Sequence, residues 1–266
     1  LAAPMDRIRV ATLNIWNRMG AWEERLAAIR KELERLQPDV LGLQEVLVLP
    51  EHAFDQARAI AEGFGYEIAF GRSPDAETYT LGNAILSRWP IARSVTFGLP
   101  GTDEHRALVF AEIDSPVGKI PFFSTHLNWK FDESAVRQLQ VQCVARFVEA
   151  LAPPEHYPAI VVGDFNAEPD SDEIRFLRGL GTLGGRSVHF HDVFGHVGQG
   201  PGITYSTKNP YAAYLREPDR RIDYIWVRGG DERFRCEPLS ARVAFDVPEG
   251  EAYPSDHFGV FAELRA

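Results

Sequence analysis

The chain has 266 residues, 45% of them hydrophobic, and a net charge of −10 from 28 Lys and Arg against 38 Asp and Glu. Length and composition suit one large domain or two small ones, and with no Ser/Pro/Gly-rich linker the chain reads as one domain over residues 1–266, without the apolar run of roughly 18 residues that a membrane span needs. The acidic balance argues against tight, extensive contact with nucleic acid and leaves room for a nuclease with few, local contacts.

The chain opens LAAPMDRIRV with no methionine at position 1, so its start reads as trimmed, processed or tagged, and no signal peptide is visible. A soluble monomer, cytoplasmic or exported, is expected. Residues 7–15, RIRVATLNI, read as a strand by alternation and β-branching. Trp22, Leu26, Ile29, Leu33 and Leu36 recur at steps of four and three, one apolar stripe on a helix that ends before Pro38. DVLGLQEV at 39–46 is nearly continuous in apolar residues and suits a strand buried on both faces. A helix is expected near 51–63.

From 66 to 128, short β-rich runs alternate with turn signals, which predicts an antiparallel sheet. A long helix follows over roughly 133–151, begun near Asp132 and stopped by Pro153-Pro154. PAIVVGDFN is a second buried strand, and a short helix is expected near 170–179. Residues 181–219 read as irregular. RRIDYIWVRG, RCEPLSARVAF and HFGVFAEL read as three closing strands. Cys143, in the helical pattern, and Cys236, in the strand pattern, read as buried reduced thiols, with a disulfide left open. Strand, helix and a buried strand ending in polar residues occur once in each half, which predicts two sheets packed face to face with helices outside.

Several of these strands end in small polar or ionisable residues. Asn14 follows ATL, Glu45 follows LGLQ, His126 follows FFST, and Asp164 and Asn166 follow VVG. Asp223 lies in RRIDYIWV, and Asp256-His257 precede FGVFAEL. Each alone reads as a turn former, cap or ion-pair partner. Together, on strands ending at one edge, they would hold a fixed geometry. Asp164 and Asn166, two apart on an extended chain, would face the same way.

The ordered motifs TLNIW, LQEV, ILSRWP, STHL, GDFNAEP, RIDYI and SDHFGV, from residue 12 to 260, resemble those of the endonuclease/exonuclease/phosphatase superfamily. GDFN, RIDY and SDH in this order are strongly specific. The resemblance implies a four-layer α/β sandwich of two mixed sheets with helices on both outer faces. It implies Mg²⁺-dependent hydrolysis of a phosphodiester or phosphomonoester by in-line attack of water, with Mn²⁺ as a substitute. Glu45 would be the main metal ligand, with Asn14 and Asp256 beside it or acting through water. Such oxygen donors suit a hard cation that keeps several waters. Asp164 would orient or deprotonate the water, Asn166 would hold it or a phosphate oxygen, and Asp223 would pair with His257. His126, as an imidazolium, would stabilise the transition state. Which of Asp164 and His257 takes the proton stays open. In abasic-site endonucleases an aspartate lies two residues after the first Asn; Trp16 stands there in this chain, which weakens that branch.

Arg106, Trp129, Lys130 and Tyr205 are candidate substrate contacts. Arg216, Arg220 and Arg221 read chiefly as partners of nearby acids such as Glu217 and Asp219. HFHDVFGH at 189–196 reads as a loop packed under the rim of the site in preference to a separate zinc site. The substrate is expected to be a small phosphoester, with a nuclease as the alternative and a non-enzymatic binding module as the remaining reading.

Overall fold

A computed structural model describes residues 5–73, 80–101, 105–153, 155–229 and 231–266. Strand β1 (Arg7–Asn14) leads through helix α1 (Trp22–Leu36) to β2 (Val40–Leu49). After a 3₁₀ turn at Pro50–His52 come β3 (Phe54–Asp55) and α2 (Gln56–Ala61). Then follow β4 (Glu67–Arg72), β5 (Thr80–Ser87), β6 (Ile91–Gly98), β7 (Ala107–Ser115) and β8 (Gly118–His126). Helix α3 (Ser134–Leu151) connects to β9 (Ile160–Asp164), and α4 (Asp172–Leu177) follows. The chain closes with β10 (Phe190–Asp192), α5 (Val193–Val197), α6 (Pro210–Ala213), β11 (Asp223–Arg228), β12 (Pro238–Ala244) and β13 (Gly259–Arg265).

The strands form two mixed sheets, one in the order β12-β13-β1-β2-β5-β4 with β3 on β2, the other in the order β10-β11-β9-β8-β7-β6. Three apolar layers follow from the two-residue period of the strands. Between the sheets lie Val10, Val40, Ile85, Phe122, Ile160, Val162, Ile225 and Val260. Outside the first sheet, Leu13, Leu41 and Leu43 meet Ile29 and Leu33 of α1 and Ile60 of α2. Outside the second, Phe123, Val161 and Trp226 meet Val141, Val144 and Val148 of α3 and Ile174 of α4. Adjacent Phe122 and Phe123 thus serve opposite faces of β8. Both are fully buried, each contributing about 1.5–3 kcal/mol. The four-layer expectation holds.

The repeat noticed in the sequence is a pair of parallel crossovers. β1-α1-β2 pairs Asn14 with Gln44, and β8-α3-β9 pairs His126 with Asp164. Parallel strands must end on the same side, so each crossover delivers two polar residues to one edge. β11 enters antiparallel to β9, with Asp223 opposite Asp164. β13 enters beside β1, bringing the preceding Asp256-His257 to the same edge.

Some local expectations shift. The helix expected at 51–63 shortens to α2, because Pro50 starts a 3₁₀ turn, Ala53 takes a left-handed conformation, and Asp55 caps only at Arg58 N. The α3 N-cap is Glu133, not Asp132, and makes no side-chain cap bond. Pro154 lies outside the described residues. The 181–219 stretch holds β10, α5 and α6, whose short lengths give no readable period. Cys236 lies ahead of β12 at φ +64°; both cysteines are free, and they belong to different apolar layers, Cys236 buried as expected and Cys143 only partly buried.

Candidate active site

Each polar side chain at this edge is aimed by a local feature of its strand. Glu45 stands at a β-bulge between Leu43 and Val46 and has φ +56°, a strained value for a residue with a Cβ. The bulge breaks the alternation of β2. Gln44 stays inside, donating to Thr12 Oγ1 at 3.2 Å and Ser124 Oγ at 3.1 Å, while Glu45 turns to the edge. Gly163 has φ +149°, and a Cβ there would lie 1.9 Å from the Thr125 carbonyl oxygen. Only glycine lets β9 approach β8 this closely just before Asp164.

Asn166 is also left-handed, at φ +49°. The chain after Asp164 is therefore not extended, and the shared direction expected for Asp164 and Asn166 does not arise from strand geometry. An Asx turn joins them instead: Asn166 N donates to Asp164 Oδ1 at 2.9 Å. The Asn166 side chain donates to the Leu127 carbonyl at 3.1 Å.

Asp164 is the hub. Its Oδ2 accepts from Asn14 Nδ2 at 3.0 Å and lies 3.3 Å from His126 Nε2 and 3.7 Å from His257 Nε2. His257 Nδ1 lies 3.0 Å from Asp223 Oδ2. The Asp223 backbone N–H is held by Thr204 Oγ1 at 3.2 Å. Tyr205 packs edge-on against His257, ring centres 4.9 Å apart.

Burial pushes the Asp164 carboxyl up to about 7, with the neighbouring Asp223 charge adding to it. Burial pulls the His257 imidazole down, but Asp223 and Asp164 outweigh it and hold His257 well above the ordinary range, as an imidazolium. His126 goes the opposite way. Burial, then the charges of Arg106 and His257, hold it well below the ordinary imidazole range. The cation expected at His126 is therefore not there. Arg106, with Nη1 3.0 Å from His126 Nδ1, carries that charge, which leaves the His126 Nε2 hydrogen pointing at Asp164.

A second carboxylate group adjoins this hub. Glu45 accepts from Asn14 Nδ2 at 3.2 Å and from Asn17 Nδ2 at 3.0 Å. Asp256 accepts from Ser255 Oγ at 3.1 Å. Burial raises Asp256 to about 6, and the Glu45 charge adds to that rise. Two carboxylates that repel at the mouth of a buried edge fit a divalent cation with oxygen ligands. As oriented, Asn14 offers this pair its amide nitrogen, and its oxygen accepts from Trp16 N at 3.0 Å. Among the described residues, Asp164, Asp223 and His257 also bring potential ligand atoms within 4.8 Å of one another, but the Asp223–His257 hydrogen bond occupies the imidazole Nδ1.

The four candidate substrate contacts separate. Arg106 and Tyr205 touch His126 and His257 directly. Trp129 is 49% exposed and, among the described residues, makes no hydrogen bond or ring contact to the polar side chains named above, and Lys130 pairs with Glu133 at 3.4 Å. Arg220 pairs with Glu217 as expected, and its guanidinium also lies between the rings of Tyr205 and exposed Phe131. Arg221 instead makes a two-pronged bond to Asp192 at 2.7 and 2.9 Å. Asp192 also caps α5, so HFHDVFGH forms an edge strand and a short helix, with Asp192 fixing the arginine that leads into Asp223.

Four supporting residues escaped the sequence reading: Arg25, Asn17, Thr204 and Asn209. Arg25 is fully buried on α1, and its guanidinium donates to the carbonyls of Ile15, Met19, Asn17 and Pro254. It thereby ties the loop after Asn14 to the segment before Asp256. Burial lowers its pKa to about 10. An arginine three residues after Trp22 and four before Ile29, inside the apolar stripe, was the available signal. Asn209 donates to the Ser255 and Asp256 carbonyls at 2.7 and 3.1 Å; it also caps α6 just ahead of Pro210, and that Asn-Pro pair was the available signal.

Over 96% of its length and 90% of the relative, the chain is 24% identical to uncharacterized protein F14F9.5 of Caenorhabditis elegans. It is 23% identical to Xenopus laevis nocturnin over 91% of the chain, which spans 64% of that protein. In fold it superposes on D. rerio TDP2 complexed with single strand DNA product, TM-score 0.76 at 20% identity, over 98% of this chain and 99% of the other. The model of the Endonuclease/Exonuclease/phosphatase family matches residues 11–257, and with that the chain belongs to this family of metal-dependent phosphoric-ester hydrolases.

Proposed function

We propose that this edge hydrolyses a small phosphodiester or phosphomonoester with Mg²⁺, or Mn²⁺ in its place, by in-line attack of water. The observation that carries the reading is Asp164 Oδ2, placed 3.0–3.7 Å from Asn14, His126 and His257. A carboxyl raised to about 7 is poised to take a proton near neutral pH. Asp164 therefore accepts the proton of the attacking water, with the Asn14 amide and the His126 N–H fixing its direction. His257, held as an imidazolium by Asp223, donates to the developing phosphoryl oxygens. Arg106 and the Asn166 amide complete the anion-binding side. Glu45 and Asp256 would hold the metal, which would supply charge neutralisation for the phosphoryl group and the leaving oxygen.

A nuclease acting on single strands is the second reading. Surface aromatics favour it: exposed Phe131 (55%) rests on Arg220, and half-buried Trp16 stacks on half-buried Tyr211 with ring centres 5.1 Å apart. Such surfaces accept bases without sequence preference. The net charge of −10 favours the small substrate. Turnover with Mg²⁺ or Mn²⁺ on bis-p-nitrophenyl phosphate, inositol phosphates, sphingomyelin, a single-stranded oligonucleotide and plasmid decides between them. Loss of the turnover in Asp164→Asn is expected; a variant that turns over normally would overturn the assignment.

A further inference from the structure

The chain has eight histidines. Two lie at the edge just described, and three others gather on a different face, where the hydrolytic reading gives them no task. His189 and His191 are two apart on the extended run entering β10, so their rings share a side. Their ring centres lie 4.9 Å apart. The Asp192 cap then starts α5, whose turn returns His196 to within 5.9 Å of His191, centre to centre. Beneath them is Gly229. A Cβ on Gly229 would lie 2.8 Å from His191 Nε2 and 2.9 Å from His189 Nδ1. Two ring nitrogens therefore border one small space that a side chain at 229 would fill.

We propose that His189, His191 and His196 form a second cation site, for a divalent transition ion of the Zn²⁺ type with water as the fourth ligand. Three imidazoles without a carboxylate ligand suit zinc, copper, nickel and cobalt and disfavour magnesium. The carboxylates Glu45 and Asp256 have the opposite preference, so the two sites take different ions. They are also far apart. His191 pairs with Val227, four residues along β11 from Asp223, or about 13 Å at strand rise.

As the rings sit, the three nitrogens are not all within 4.8 Å of one another. His189 and His196 are exposed, and exposed side chains change rotamer on the ps–ns scale. A cavity of about 220 Å³ beside His191 and His196 leaves room for the rings to close. The consequence of binding is mechanical. β10 is a three-residue strand at the open edge of its sheet, and an ion shared by His189, His191 and His196 pins it to α5.

Titration calorimetry with ZnCl₂ on the full chain, in saturating Mg²⁺, tests this. One Zn²⁺ per chain is expected in the wild type and in Glu45→Gln, with a rise in melting temperature. His191→Ala and His196→Ala should each abolish that binding while leaving the far-UV circular dichroism unchanged; the exposed position of His196 makes its variant the safer one to fold. Co²⁺ in the same site should show a nitrogen-ligand absorption spectrum that both variants lose. Unchanged Zn²⁺ stoichiometry in both variants, absence of binding in the wild type, or loss of the ion in Glu45→Gln alone would overturn the proposal.

Discussion

Asp223→Asn probes the pair that sets the charge of the candidate site. The substitution keeps shape and keeps the backbone bond to Thr204, but removes a carboxylate 3.0 Å from His257 Nδ1 in a fully buried position. At an effective dielectric of about 20, two charges about 4 Å apart interact by about 4 kcal/mol, equivalent to roughly three pH units. Asp223 raises His257, so the alkaline limb of the pH–rate profile, where the imidazolium is lost, should move down by about two to three units. It also raises Asp164, so the acid limb, where Asp164 is protonated, should move down as well. The whole profile slides to acid, and turnover at pH 8 falls by up to about 10²–10³-fold, the size of that displacement. The assay is kcat/KM against pH on bis-p-nitrophenyl phosphate at saturating Mg²⁺, with the His257 ring titration followed by NMR. An alkaline limb that stays in place, or a His257 pKa unchanged between wild type and variant, would refute the reasoning.

Glu45→Gln should raise the Mg²⁺ concentration needed for half-maximal turnover without unfolding the chain, and full activity of the wild type in excess EDTA would sink the metal assignment. Arg25→Met strands several buried carbonyls, each costing about 1–3 kcal/mol. A total of about 3 kcal/mol would lower the melting temperature by roughly 6–12 °C, so an unchanged thermal scan contradicts its anchoring role. Gly163→Ala should destabilise by more than about 2 kcal/mol, as expected for overpacking combined with φ strain, measured by urea unfolding. DNA affinity against salt should give a log–log slope of only about −2 to −4; a slope steeper than about −6 with rapid plasmid nicking puts the nuclease reading first.

The sequence by itself determined the elements with a clear period and the polar residues that gather at one edge. The stripe from Trp22 to Leu36, the apolar runs VLGL and AIVVG, and the polar residues at their ends were legible because burial imposes the period and strand ends release it. Asn14, Glu45, His126, Asp164, Asp223, Asp256 and His257 are all brought to one edge, as that pattern implied. What only the tertiary structure decided is direction and charge. The bulge at Glu45 and the left-handed Asn166 break the alternation that an extended strand would keep, because pairing with neighbours far along the chain sets those dihedrals. His126 is neutral and His257 charged although both follow similar strand-end patterns. The difference lies in what surrounds each ring, Arg106 beside one and Asp223 beside the other, and local sequence does not encode that neighbourhood. Arg25 makes the same point: a charge inside an apolar stripe is legible as an anomaly, but the carbonyls that justify it belong to residues 15–19 and 254 and meet it only when the two ends of the chain have packed together.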